Sequence, residues 1–193
     1  MNDYEGLSRP AQLPRILEAT RKVGFLKTSD LLAGNLLRTL AATKPGGRLL
    51  GNGTGTGIAT AWLLDGMDDA ASLASVDRDS RVQAVAREIL GNDRRVRFFT
   101  GEAKAFLESE PAESFDLIFA DGQGTQIHRS RSGAVTLAAR CVLHRRQYVM
   151  HLFHPPERAA GLRDFRSALD ARKDFFVTKI GWASGVVVCA RRS

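Results

Sequence analysis

No stretch of this 193-residue chain approaches the roughly 18 consecutive apolar residues of a membrane span. The opening residues, MNDYEGLSRPAQ, hold no apolar run, so no secretory signal is expected. Cysteine is scarce: Cys141 and Cys189 are the only two. Neither stands in a CxxC or Cys/His ligand spacing, so the expectation is two reduced, structural thiols in a cytoplasmic protein. Gly-Lys occurs nowhere, which removes the phosphate cradle of a P-loop. There is no internal repeat and no low-complexity tract.

What is present has the balance of a globular domain, with 44% apolar and 25% charged residues, enough to bury a core without staples. The length suits one domain, 29–193, preceded by a helical extension or lid over 1–28. The net charge of +7 allows an acidic partner. Most of the basic residues are scattered arginines, and the short clusters at His128 and His144 have no interleaved aromatics. A nucleic-acid partner is therefore allowed but not favoured.

Apolar runs alternate with amphipathic segments. Strands are expected at RLL from Arg48, SLASVD ending on Asp77, RVRFFTG, SFDLIFADG, QYVMHLF, FFVTKI and SGVVVCARR. Helices are expected near 13–20, over 31–42 behind a Ser29-Asp30 cap, after Gly57, and from Asp79 to Leu90. Others follow at EAKAFLESE, across Val135, Ala138 and Val142, and after the prolines at 155–156. This alternation predicts an α/β fold with a mostly parallel sheet and helices on both faces. The last two strands form a hairpin that adds an antiparallel strand at one edge.

In such sheets ligands sit at the carboxyl ends of the strands. There the chain reads GNGTGTG, from Gly51, with a glycine at every second position. A plain turn, a phosphate cradle and a nucleotide-type cofactor site compete for it. The dinucleotide fingerprint GxGxxG needs glycine or alanine three positions after its second glycine, where this chain offers Thr56, Ile58 or Thr60. The loop is GxGxG instead.

GTGTGIATAWLL resembles the first motif of class I S-adenosylmethionine-dependent methyltransferases. With SDLLAGNLLRTLAATKPGGRLL before it, and SVDRD and FDLIFAD after it, the chain is similar to the small O-methyltransferases related to catechol O-methyltransferase. The resemblance implies a Rossmann-like methyltransferase fold with a seven-stranded sheet, S-adenosylmethionine as cofactor, a small-molecule acceptor and a homodimer. It places Asn52, Gly53, Thr54, Gly55 and Gly57 along the methionine end, with Asp77 and Arg78 at the ribose. Glu102 and Ala103 fall beside the adenine, and Asp121 by the reacting centre. A carboxylate closing a strand can take both hydroxyls of a ribose. The other reading of Asp77 is a helix cap, and of Glu102 a first-turn acid favoured by the helix dipole.

Two departures from the family stand out. Gly51 occupies the place of its usual acid, which helps hold the methionine amino end. The Asp-Asn pair of metal-dependent members falls at His151-Leu152. Asp121, His151 and His154 would suit a softer ion than Mg²⁺, and no divalent metal is expected. Methyl transfer to a hydroxyl needs a base, and Asp121, His128 and His151 are the candidates, with Asp121 and His151 chosen as catalytic. The expected activity is O-methylation of a small-molecule hydroxyl. A methyltransferase-like cofactor binder with weak catalysis and an RNA or protein methyltransferase are the alternatives. A nicotinamide oxidoreductase comes last.

Overall fold

A computed structural model describes residues 3–26, 30–111, 114–121, 171, 173–182 and 186–192, with only the backbone of 140–144 and 191. Among the described residues twelve elements follow in chain order. They are α1 (Leu13–Lys22), α2 (Leu31–Ala42), β1 (Arg48–Asn52), α3 (Ile58–Gly66), β2 (Ser72–Asp77) and α4 (Ser80–Leu90). Then come β3 (Val96–Thr100), α5 (Ala103–Ser109), β4 (Leu117–Ala120), β5 (Arg140–His144), β6 (Phe175–Ile180) and β7 (Val186–Arg191).

The strands form one sheet in the order β3-β2-β1-β4-β5-β7-β6. From β3 to β5 every pairing is parallel. β7 runs antiparallel to both β5 and β6. The antiparallel strand therefore lies inside the sheet and β6 takes the edge, a correction to the expected edge position. The reason is that β7 returns from the hairpin into the slot beside β5, where Val187 enters the apolar cluster with Leu50, Val76 and Ile118.

A second correction falls on 140–144. The helix expected through Val142 is strand β5, pairing Ile118 with Cys141 and Val142 with Val188. Short apolar runs such as Cys141-Val142-Leu143 fit either period, and here the two neighbouring strands decide. The strand expected at 147–153 and the helix after 155–156 lie outside the described residues.

The first half of the chain follows its local signals closely. Asp30 caps α2 by accepting the Leu32 and Ala33 N–H groups at 2.9 and 3.4 Å. Asp79 caps α4 through the Arg81 and Val82 N–H groups at 3.0 and 3.3 Å. α3 is apolar all round, with every residue from Ile58 to Leu64 buried, and it forms the middle of the helix layer. α2 lies along it, and Gly34 makes the close approach: a Cβ there would meet Trp62 Nε1 at 2.3 Å. α1 packs on α3 and α4 and buries Leu13 and Ile16 completely.

Two apolar clusters cover the sheet. One joins α1, α2 and α3 to Leu49, Leu73, Leu117 and Phe119. The other sets Phe106 and Leu107 of α5 against Leu50, Val76, Ile118 and Val187. Alternating strand residues enter the two clusters, as the pleat requires. No helix among the described residues is long and apolar enough to cross a membrane.

Candidate functional site

The carboxyl ends of β1, β2, β3 and β4 converge at one rim of the sheet. β1 leaves that rim through the glycine loop. Gly53, Gly55 and Gly57 have φ of +92°, +54° and +97°, conformations that side chains rarely adopt. The Gly53 and Thr54 N–H groups both donate to Val76 O, at 2.8 and 3.2 Å, so the loop folds back over the end of β2.

Asp77 ties three segments together. Its Oδ2 accepts the Gly55 N–H at 2.7 Å and its Oδ1 the Asp79 N–H at 2.9 Å. Its carbonyl accepts the Gly101 N–H at 2.8 Å. The carboxylate is half-buried, and each oxygen keeps one lone-pair site for a further donor. The helix-cap reading is answered by Asp79, two residues on, which performs that task itself. The Asp79 carboxyl is held below its ordinary range, chiefly by the Val82 N–H that it accepts.

Asp121 closes β4 next to Asn52. Its N–H donates to Asn52 O at 2.8 Å, extending the β1–β4 ladder to the start of the loop. Both side chains are half-buried. Glu102 is the N-cap of α5, exposed and making no side-chain capping bond. Ala103 behind it is half-buried, and Arg78 is exposed beside Asp77. The structure thus gathers Asn52, Gly53, Gly55, Asp77, Glu102 and Asp121 on one rim. His128, His151 and His154 lie outside the described residues. No group of three or more His, Cys, Asp or Glu side chains fit to hold a metal occurs among the described residues.

Two loop residues face elsewhere. Thr54 is buried, and its hydroxyl shares a hydrogen bond with Ser75 Oγ at 2.8 Å and accepts from Gln83 Nε2 at 3.1 Å. Gly57 caps α3, and a Cβ on it would lie 2.8 Å from Ala86 Cβ. Its bareness admits α4. On the outer side, the Phe25 ring covers Gly55, with Cε1 3.2 Å from where a Cβ would stand. Thr20 Oγ1 of α1 and Thr56 Oγ1 share a hydrogen bond at 2.8 Å, which fastens α1 to the loop. The sequence reading missed Thr20, Phe25, Ser75 and Gln83. For Gln83 there was a signal: it precedes Ala86 and Leu90 at i+3 and i+7, a polar residue on the buried stripe of α4.

The donor set has a definite chemical preference. Asp77, Glu102 and Asp121 put three acids at the rim. A cation carrying a diol suits them, which is the make-up of a sulfonium nucleoside. Glycine loop, acid after the second strand and acid after the fourth stand together at the carboxyl ends of the strands, where a Rossmann-like domain places its ligands.

The chain belongs to the methyltransferase domain family, whose pattern it matches over residues 50–154. It is 34% identical over 92 residues to a protein of Mycolicibacterium smegmatis that carries the name of an O-methyltransferase. That match covers 46% of this chain and 44% of the relative. A similarly named protein of Mycobacterium ulcerans is 30% identical over 122 residues, covering 57% of this chain and 54% of the relative. The chain thus spans about half the length of the curated relatives it matches. Its fold is that of an O-methyltransferase from Bacillus cereus solved with SAH, with a TM-score of 0.81 at 20% identity. That alignment covers 97% of this chain and 94% of the other. TomG of Streptomyces achromogenes, an O-methyltransferase involved in tomaymycin synthesis and solved with SAM, aligns at a TM-score of 0.80 and 21% identity. There 98% of this chain and 93% of the other are covered.

Proposed function

We propose that this protein is an S-adenosylmethionine-dependent methyltransferase acting on a hydroxyl of a small molecule. The observation that carries the proposal is Asp77, a half-buried carboxylate wired to the Gly55 N–H at the mouth of a GxGxG loop. The family membership and the O-methyltransferase names of its relatives support the same reading.

The residues present fit the cofactor. Asn52, Gly53 and Gly55, with the backbone of Thr54, would hold the methionine end. Asp77 would take the ribose hydroxyls with the lone pairs that its backbone bonds leave over, Arg78 standing beside it. Glu102 and Ala103 would border the adenine. Bound there, the cofactor supplies an activated methyl group on a sulfonium. The protein's part is to align the acceptor, exclude water and remove a proton. Asp121 takes the acceptor's hydroxyl proton in this reading, with His151 the second candidate base. No metal is assigned a step.

The finer assignments follow from the same reading. The segment 1–28 contributes a cover to the site, since α1 is fastened to the loop through Thr20 and Thr56. The protein forms a homodimer through exposed apolar surface such as Val23 and Leu26, the latter 90% exposed. It works in the cytoplasm, the setting that the scarcity of cysteine favours. Gly51, in place of the family's acid, favours a second reading, a cofactor binder with weak turnover.

Calorimetric titration with S-adenosylmethionine and S-adenosylhomocysteine, with NAD as control, tests the cofactor. Micromolar binding of the first two alone is expected. Methyl transfer to a panel of phenols and catechols then separates an enzyme from a binder. A steep salt dependence of acceptor binding would point instead to RNA.

A further inference from the structure

Gln83 is a fully buried polar side chain in a sheet-facing position of α4, and every atom of its amide is engaged. Nε2 faces three acceptors: Thr54 Oγ1 at 3.1 Å, Phe99 O at 3.0 Å and Ser75 O at 3.3 Å. Oε1 accepts from Thr100 Oγ1 at 2.8 Å and from Arg87 Nη2 at 3.0 Å. The orientation is fixed by partner chemistry. Arg87 offers only donors, and the two carbonyls are only acceptors, so a flipped amide would set like against like on both sides. Arg87 also donates to Phe98 O at 3.0 Å and Thr100 Oγ1 at 3.1 Å, which braces the end of β3 from outside.

The partners come from three different strand ends. Thr54 belongs to the glycine loop after β1, Ser75 to β2, and Phe99 and Thr100 to β3, directly before Gly101 and Glu102. Thr60 of α3 joins through Ser75 Oγ at 3.1 Å. A single amide therefore links the loop to the end of β3, alongside Asp77, which accepts the Gly55 and Gly101 N–H groups. A backbone ladder links β1 to β2 and β2 to β3, and beyond Asn52 only the Gly53 and Thr54 N–H groups, both on Val76 O, are seen to continue it among the described residues, whereas Gln83 reaches the Thr54 side chain from β3.

We propose that Gln83 is a positioning residue for the cofactor: it holds the glycine loop and the β3–α5 turn at the separation that a nucleoside cofactor must span. This rests on the S-adenosylmethionine reading of the site. Gln83 touches nothing at the rim and acts through Thr54 on one side and Thr100 on the other. A shift of about 1 Å in one wall of a preorganised site is enough to cost one to two orders of magnitude.

The test compares Gln83→Met, which keeps length and removes both hydrogen-bonding ends, with Val187→Ala. Val187 is fully buried on β7, separated from β1 by β4 and β5, and reports what a loss of stability alone does to binding. Calorimetry with S-adenosylhomocysteine should show about a tenfold weaker Kd for Gln83→Met and less than a threefold change for Val187→Ala. With an acceptor in hand, KM for S-adenosylmethionine should rise by the same factor while kcat stays within about threefold. Thr54→Val deletes the hydroxyl at the other end of the network. It should weaken binding in the same direction, and it carries the test if Gln83→Met does not fold. Combined with Gln83→Met it should add little, because both cut one connection. Equal losses in Gln83→Met and Val187→Ala, or additive losses in the double variant, would overturn the proposal. Wild-type protein that binds no S-adenosylhomocysteine would sink the cofactor reading and this inference with it, whereas normal wild-type binding with an unaffected Gln83→Met sinks this inference alone.

Discussion

Asp77→Asn separates the clamp that the carboxylate makes on the turn from the ribose contact proposed for it. In the wild type Oδ2 holds the Gly55 N–H at 2.7 Å and Oδ1 the Asp79 N–H at 2.9 Å. Asparagine offers one oxygen and one NH₂. Whichever way it turns, one backbone N–H faces a donor. A hydrogen bond to a charged acceptor contributes about 1.5–3 kcal/mol when buried. Asp77 is half-buried and water can reach the orphaned N–H, so the loss should be about 1–2 kcal/mol. For a chain of this size that lowers Tm by roughly 2–8 °C. Cofactor binding adds a second loss. A ribose diol donates two hydrogen bonds, and the charged acceptor for both is gone, so S-adenosylhomocysteine should bind about 10- to 100-fold more weakly. Thermal unfolding without ligand and calorimetry with S-adenosylhomocysteine read the two effects independently. A lower Tm with affinity unchanged within twofold would refute the ribose assignment. Asp77 would then be a clamp on the turn and nothing more.

Other substitutions divide along the same lines. Gly57→Ala should destabilise by about 2–3 kcal/mol in chemical denaturation, since the new Cβ meets both a positive φ and the Ala86 Cβ at 2.8 Å. Gly51→Ala should be neutral or slightly stabilising, its Cβ lying 3.8 Å from Leu63 Cδ1 and Ser75 Oγ at ordinary contact distance. Equal losses in the two would show that loop glycines are interchangeable. Acid stability has a located source in Asp93, whose carboxylate accepts the Arg95 side chain at 2.7 Å and its backbone N–H at 2.9 Å. The Arg95 guanidinium holds the Asp93 carboxyl below its ordinary range, against the opposing effect of burial. A lowered folded pKa means that the stabilisation is complete above the unfolded value of about 4 and is lost as the pH falls through the folded one. Urea midpoints of wild type and Asp93→Asn, taken from about pH 6 down to about pH 3, should therefore converge in acid. A gap that persists at the lowest pH would contradict the pairing.

The parts of this fold that could be read from the sequence are those where local signals agree. Asp30 and Asp79 announce their helices, and SLASVD carries both a strand and the acid that ends it. β5 could not be read that way. Cys141, Val142 and Leu143 fit a helix or a strand equally well, and only the neighbours on each side settle the matter. The rim acids were legible because topology fixes where strand ends go. The layer beneath them was not, since a glutamine on an apolar stripe shows its partners only after three strand ends have met.

The alternating glycines were the strongest sequence signal, and their spacing suggested a common purpose. Gly55, at φ +54°, turns its N–H to Asp77 and its bare face toward the Phe25 ring. Gly57, at φ +97°, admits Ala86 of α4. Gly51 sits in a strand with room for a methyl group, and no positive φ calls for glycine there. A period of two in the sequence thus covers at least three different physical demands. What lies between them matters as much: Thr54 and Thr56 turn inward, to Ser75 and Gln83 on one side and to Thr20 on the other. The glycines let the loop bend, and the two threonines decide where it stops. A loop of glycines alone would lose that definition, and the rim would have no fixed wall against which to seat a cofactor.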